Sequence, residues 1–172
     1  MTRILVACAT RHGATAEIAA EIADVLRRNV ADAVVDLRDA ASAGEVAAHD
    51  AAVIGRAVHL GRWLPAARDL AAGHREVLSA MPVWLLFYSG PLGEPSVPVD
   101  EPTEVAELGV AVGARGHRPF AGRLDRQGAA VGGASCGRMV HAPEGDFRDH
   151  DAIRRWASEV AAALAAGSGQ RS

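Results

Sequence analysis

Six consecutive residues, Thr10-Arg11-His12-Gly13-Ala14-Thr15, carry the groups that a phosphate needs. Arg11 can grip two phosphate oxygens at once through its planar guanidinium. Thr10 and Thr15 can donate from their hydroxyls, and Gly13 lets backbone N–H groups come close. His12 either joins the cradle or points to solvent. The apolar run Arg3-Ile4-Leu5-Val6-Ala7-Cys8-Ala9 precedes the loop, and Ala16-Glu17-Ile18-Ala19 opens a helix directly after it. A strand-loop-helix junction directs free backbone N–H groups and the positive end of the helix dipole at the loop, which suits an anion. The chemistry expected here is phosphate binding.

Two further loops belong with this one. Residues 55–63, Gly55-Arg56-Ala57-Val58-His59-Leu60-Gly61-Arg62-Trp63, follow the short apolar run Asp50-Ala51-Ala52-Val53-Ile54. Residues 88–95, Tyr88-Ser89-Gly90-Pro91-Leu92-Gly93-Glu94-Pro95, follow Pro82-Val83-Trp84-Leu85-Leu86-Phe87, the strongest strand pattern in the chain. Its unbroken apolarity fits a central strand covered on both faces. The seven histidines and two cysteines show no metal-ligand spacing, so no metal is expected. Cys8 falls within the first strand, where a small buried residue is expected.

The elements that must position these loops alternate. Ile18, Ile22, Val25 and Leu26 form the apolar stripe of a helix packed on a sheet. Ala33-Val34-Val35-Asp36-Leu37 reads as a second strand near an edge. From Leu64 the pattern is helical, with Pro65 in the first turn and Leu70, His74, Val77 and Leu78 carrying the repeat. Another helix runs from about 101 to 112, stopped by Gly113 to Gly116. Arg118-Pro119-Phe120-Ala121-Gly122-Arg123-Leu124 reads as a fifth strand despite Pro119. Glu144 to Asp149 offers helix-capping acids, and Ile153, Trp156, Val160 and Leu164 mark a last helix. Residues 125–146 give no clear pattern. This alternation, with no hairpin signal, predicts a doubly wound α/β domain: five parallel strands in the order 2-1-3-4-5 with helices on both faces. In that order the strands before the three loops are neighbours, so the loops converge on one crevice at the carboxyl edge. A single domain is expected over 1–166, with a frayed tail at 167–172.

Composition narrows the partners. A net charge of −3 with interspersed signs gives no footprint for nucleic acid, and no apolar run is long enough for a transmembrane segment. With no signal peptide, a cytoplasmic setting is expected. Aromatics make up only 4% of the 172 residues, so the core must rest on Ala, Val and Leu. Asp36 stands where a ribose-binding acid would, but the first loop lacks G-x-G-x-x-G, which argues against a dinucleotide site. A phosphorelay receiver needs clustered acids at the end of the first strand, where Cys8-Ala9-Thr10 stands. A low-molecular-weight tyrosine phosphatase needs an arginine six positions after its cysteine, and Ala14 occupies that place.

The segment from Thr10 to Ala19 resembles the phosphate loop and first helix of flavodoxin-like proteins, and Val53 to Trp63 resembles their glycine-flanked flavin loop. The pairing is most similar to the branch containing menaquinone-dependent protoporphyrinogen IX dehydrogenase and its soluble bacterial relatives. Ala142-Pro143-Glu144-Gly145-Asp146-Phe147-Arg148-Asp149 and Asp151-Ala152-Ile153 resemble those relatives too, so the likeness spans residues 3–164. The resemblance implies FMN as cofactor, its phosphate on Thr10, Arg11, His12, Gly13, Ala14 and Thr15. The ring would lie between Ala57, Val58, His59, Leu60, Gly61 and Trp63 on one side and Tyr88, Ser89, Gly90, Pro91, Leu92 and Gly93 on the other. Trp63 either stacks on the ring or packs beneath the following helix. Ser89 is a lining residue or a turn residue. His59 is the candidate catalytic residue, an imidazole able to tune the potential or relay a proton. Arg56 and Arg62 are placed to attract an anionic substrate.

The function so implied is an FMN-dependent flavodoxin-like oxidoreductase, protoporphyrinogen-oxidase-like or quinone-reductase-like. It would act on a small-molecule or tetrapyrrole-like redox substrate, with NAD(P)H or a protein as electron donor, and a homodimer is compatible with it. Residues 125–141 lack the dense basic-aromatic character of a membrane-facing, quinone-using insertion, which argues against porphyrinogen and quinone specifically. The alternatives are an electron-transfer flavodoxin and a non-catalytic relative that has lost its flavin.

Overall fold

A computed structural model describes residues 1–9, 14–59, 62–63, 65–89, 103–121, 123–124, 145–146 and 148–168. Strand β1 spans Thr2–Ala9 and helix α1 Ala14–Asn29, and strand β2 covers Ala33–Asp39. Two 3-10 turns, Ala40–Ser42 and Val46–Ala48, lead to β3 at Ala51–His59. The short β4, Arg62–Trp63, precedes α2 at Pro65–Gly73 and α3 at Arg75–Ser79. Then come β5 (Val83–Ser89), α4 (Thr103–Ala111), β6 (Gly116–Ala121), β7 (Arg123–Leu124), β8 (Gly145–Asp146) and α5 (His150–Ser168).

The main sheet runs β2-β1-β3-β5-β6, all parallel, which is the expected 2-1-3-4-5 order once β4 is set aside. Alternation along each strand divides the core into two layers. On one face Ile4, Val6, Cys8, Val53, Trp84, Leu86 and Phe120 pack against Ile18, Ile22 and Leu26 of α1 and Ile153, Trp156 and Val160 of α5. On the other, Leu5, Ala7, Ala52, Ile54 and Leu85 pack against Val46, Leu70, Leu78 and Val112. Phe120 and Trp156 meet edge to face with centroids 5.6 Å apart, a favoured aromatic geometry. Glu17 in the first turn of α1 and Arg27 and Arg28 in its last turn both complement the helix dipole.

Several boundaries differ from the pattern-based expectation. β3 does not stop at Gly55; it continues to His59 and turns back, Val58 pairing Trp63 and His59 pairing Arg62 in antiparallel register. Residues 56–59 and 62–63 therefore lie on a hairpin, where a loop was expected. The helix expected from Leu64 is two helices broken at His74, next to Gly73, whose backbone disfavours helix. The fifth strand ends at Ala121, and Arg123–Leu124 instead pairs antiparallel with Gly145–Asp146. Pro119 is tolerated because β6 is the outermost strand, where a missing N–H need not face a neighbour. Gly113, with φ +61°, ends α4 as expected: its left-handed backbone lets the Ala114 N–H reach the Gly109 carbonyl at 2.8 Å.

Candidate functional site

Adjacency of β1, β3 and β5 sets the site. In register, Ala9 lies beside Arg56 and Arg56 beside Phe87, so the carboxyl ends of the three strands lie side by side. One step beyond, Ala57 stands beside Tyr88, and Tyr88 beside Phe120 of β6. β3 then outruns its neighbours through Val58 and His59 before pairing with Arg62 and Trp63. A hairpin rising at the edge of the crevice is thus a product of strand pairing.

The amino end of α1 opens five residues after the last residue of β1. Its first-turn N–H groups have no helical acceptors, which is the general condition of a helix start. Thr15, the second residue of α1, is a polar residue only 2% exposed. None of the hydrogen bonds among the described residues uses its hydroxyl. A buried hydroxyl costs free energy unless a partner is supplied to it.

Of the other residues expected to bind, Ala14 is the first residue of α1, Ala57, Val58 and His59 end β3, Trp63 ends β4, and Tyr88 and Ser89 end β5. Topology therefore brings the three segments to one edge. Thr10, Arg11, His12, Gly13, Leu60, Gly61, Gly90, Pro91, Leu92 and Gly93 lie outside the described residues. Cys8, beneath the crevice, is 5% exposed, and its thiol is pushed up to about 11, by burial first and by the Asp39 carboxylate second. It is a packed thiol and no nucleophile.

Charges around the start of α1 come from a distant part of the chain. Arg148, just before α5, donates from Nε to Asp146 Oδ1 at 2.7 Å and from Nη2 to Asp146 Oδ2 at 2.5 Å. Its Nη1 donates to Glu17 Oε2 in the first turn of α1. Arg148 holds the Asp146 carboxyl down to about 2, and both carboxylates hold the guanidinium firmly charged. One turn on, Glu21 receives Arg154 Nη1 at 2.7 Å and contacts His150 Nδ1 at 2.7 Å. Sequence reasoning assigned only helix capping to this region. Asp149 does cap α5, accepting the Ala152 N–H at 2.8 Å, but Arg148 was missed. Among the described residues no three His, Cys, Asp or Glu side chains come together as metal ligands, and no helix is long and apolar enough to cross a membrane.

Comparison with known proteins agrees with this architecture. The family model described as the flavodoxin domain matches residues 5–128. The flavodoxin of Streptococcus pneumonia TIGR4 superposes with a TM-score of 0.58 at 17% identity, covering 96% of this chain and 99% of its own. A mutant flavodoxin from Pseudomonas aeruginosa gives 0.62 at 17% identity, covering 95% and 99%. The rubredoxin oxygen:oxidoreductase of Desulfovibrio gigas gives 0.63 at 15% identity; it covers 96% of this chain, which spans only 37% of that larger protein. At these identities the likeness is one of fold. A search of curated proteins yields no match.

Proposed function

The chain belongs to the flavodoxin-domain family, and on that premise we propose that it binds FMN at the carboxyl edge of β1, β3 and β5 and serves as a flavin-dependent redox protein. The observation that carries this reading is the buried Thr15 at the start of α1, the helix that follows β1, whose hydroxyl has no partner among the described residues. A ligand phosphate there would give that hydroxyl an acceptor and meet the first-turn N–H groups of α1. Arg11 supplies the fixed positive charge. In this reading the hairpin residues Val58, His59 and Trp63 and the end of β5 at Tyr88 and Ser89 are the two sides of the slot for the ring.

When bound, FMN supplies the capacity to take up and release electrons or hydride. The chain's part is to anchor the phosphate, orient the ring and exclude water, with His59 holding or passing a proton beside it. Arg56 and Arg62 favour an anionic substrate. The reaction proposed is an FMN-dependent oxidoreduction of a small or tetrapyrrole-like molecule. The modest net charge of −3 favours this over a dedicated carrier that docks on basic partners.

The visible spectrum of purified protein during FMN titration is the direct test. A saturable flavin band is expected, and its absence at excess FMN overturns the reading. Arg11→Ala is expected to raise the FMN dissociation constant about tenfold, in line with loss of a charge-assisted hydrogen bond. Stopped-flow mixing with NAD(P)H then separates direct reduction by nicotinamide from a carrier that requires a protein reductase.

A further inference from the structure

Arg148 is an arginine with an unusual environment: its side chain is only 7% exposed, although it sits in the short connection between β8 and α5. All its charged contacts among the described residues are carboxylates. Asp146 takes two of its nitrogens in the forked arrangement that guanidinium and carboxylate favour, and also the Arg148 backbone N–H at 3.2 Å. The third nitrogen reaches 131 residues back along the chain to Glu17.

Glu17 stands two residues after Thr15, in the first turn of α1. A carboxylate in that turn suits the helix dipole, but it opposes any second anion brought to the same helix end. At 54% side-chain exposure it is otherwise free to swing.

We propose that Arg148 is a positioning residue for the phosphate end of α1: it ties the Glu17 carboxylate to the β8–α5 connection and lowers the negative charge of the Glu17–Asp146 pair from −2 to a net −1, so that a flavin phosphate meets the helix start with Glu17 held aside and partly offset. This rests on the FMN reading above. The fork on Asp146 fixes the guanidinium, and the remaining arm fixes Glu17, so the sequestration is geometric as well as electrostatic. Removing the guanidinium leaves two carboxylates unpaired near the helix start.

Because only the phosphate feels this arrangement, FMN and riboflavin, which carry the same ring with and without phosphate, separate it from general support of the fold. Dissociation constants for both are measured by flavin fluorescence quenching at low and high salt. The proteins are wild type, Arg148→Ala, Arg148→Lys and the double variant Arg148→Ala/Glu17→Gln. Arg148→Ala is expected to weaken FMN about tenfold and leave riboflavin unchanged, and the loss shrinks at high salt. Glu17→Gln in that background restores FMN affinity, and Arg148→Lys, which keeps the charge without the fork, lies between. If Arg148→Ala does not fold, the Lys variant carries the same FMN-against-riboflavin comparison. Equal losses for both ligands, or none for FMN, overturn the proposal. A wild-type protein that binds neither flavin defeats the FMN reading itself, whereas normal binding that ignores residue 148 defeats only the role given to Arg148.

Discussion

Gly55 lies directly beside Leu86 across the β3–β5 pairing, and a methyl group on Gly55 would stand 2.9 Å from the Leu86 Cδ1. Cys8 flanks Gly55 on its other side, so the three residues form one row under α1 and α5. Leu86 is 1% exposed and packed in the same core layer as Cys8. Gly55→Ala is expected to destabilise the protein by about 1–3 kcal/mol, the usual effect of overpacking. Urea denaturation measures it, and an unchanged midpoint would show that the row can shift.

Thr15→Val separates binding from stability. The two side chains have nearly the same shape, but valine has no hydroxyl to leave unsatisfied. Flavin-free protein is expected to hold or gain about 1 kcal/mol. FMN affinity is expected to fall about five- to tenfold, one lost hydrogen bond to a charged group. Calorimetry and flavin titration together check this. A variant that loses stability and keeps its affinity would reverse the role given to Thr15.

Stability in acid depends on Asp36. Its carboxyl is held below the ordinary range, chiefly by the hydrogen bond with His49 and then by Arg3. The His49 Nε2 lies 3.0 Å from Asp36 Oδ2, and the Arg3 Nη2 3.1 Å from the same oxygen. A carboxyl whose folded pKa is depressed adds stability that is full above its unfolded pKa, about 4, and is lost as pH falls through the folded value. Asp36→Asn should therefore lower Tm at neutral pH, and the gap to wild type should close below about pH 4. A gap that persists undiminished at lower pH would remove the linkage.

Cys8 should resist modification. With its thiol pushed up to about 11 and its side chain buried, alkylation by iodoacetamide at a pH of about 8 is expected only after unfolding. Mass spectrometry of peptides from native and urea-treated protein reads this directly. Labelling at Cys8 in the native state would mean that the crevice floor opens.

The parts of the fold legible in the sequence are those whose burial imposes a period. Ile18, Ile22, Val25 and Leu26, and later Ile153, Trp156, Val160 and Leu164, are all buried at helical spacing. The apolar run before Ser89 is a central strand with neighbours on both sides. Of the candidate site, the adjacency of the three strands that precede its segments was legible. The continuation of β3 was not, because Arg56 and His59 break the apolar run while strand pairing carries on through β4. The ribbon of β7 and β8 and the Arg148–Glu17 tie were equally hidden. Their partners lie far apart in sequence, and a lone arginine between acids gives no periodic signal.

The two helices that share one face of the sheet come from opposite ends of the sequence read here. Glu17 and Glu21 of α1 find their cationic partners 129 to 133 residues later, in and just before α5. On a translating ribosome, α1 and the strands it packs against emerge long before those partners exist. The apolar stripe of α1 can settle on the young sheet, but Trp156 and Val160 arrive last to close that layer. Assembly of the layer is therefore timed by synthesis of its final helix, and a nascent chain halted after α4 would leave that flank bare to chaperones.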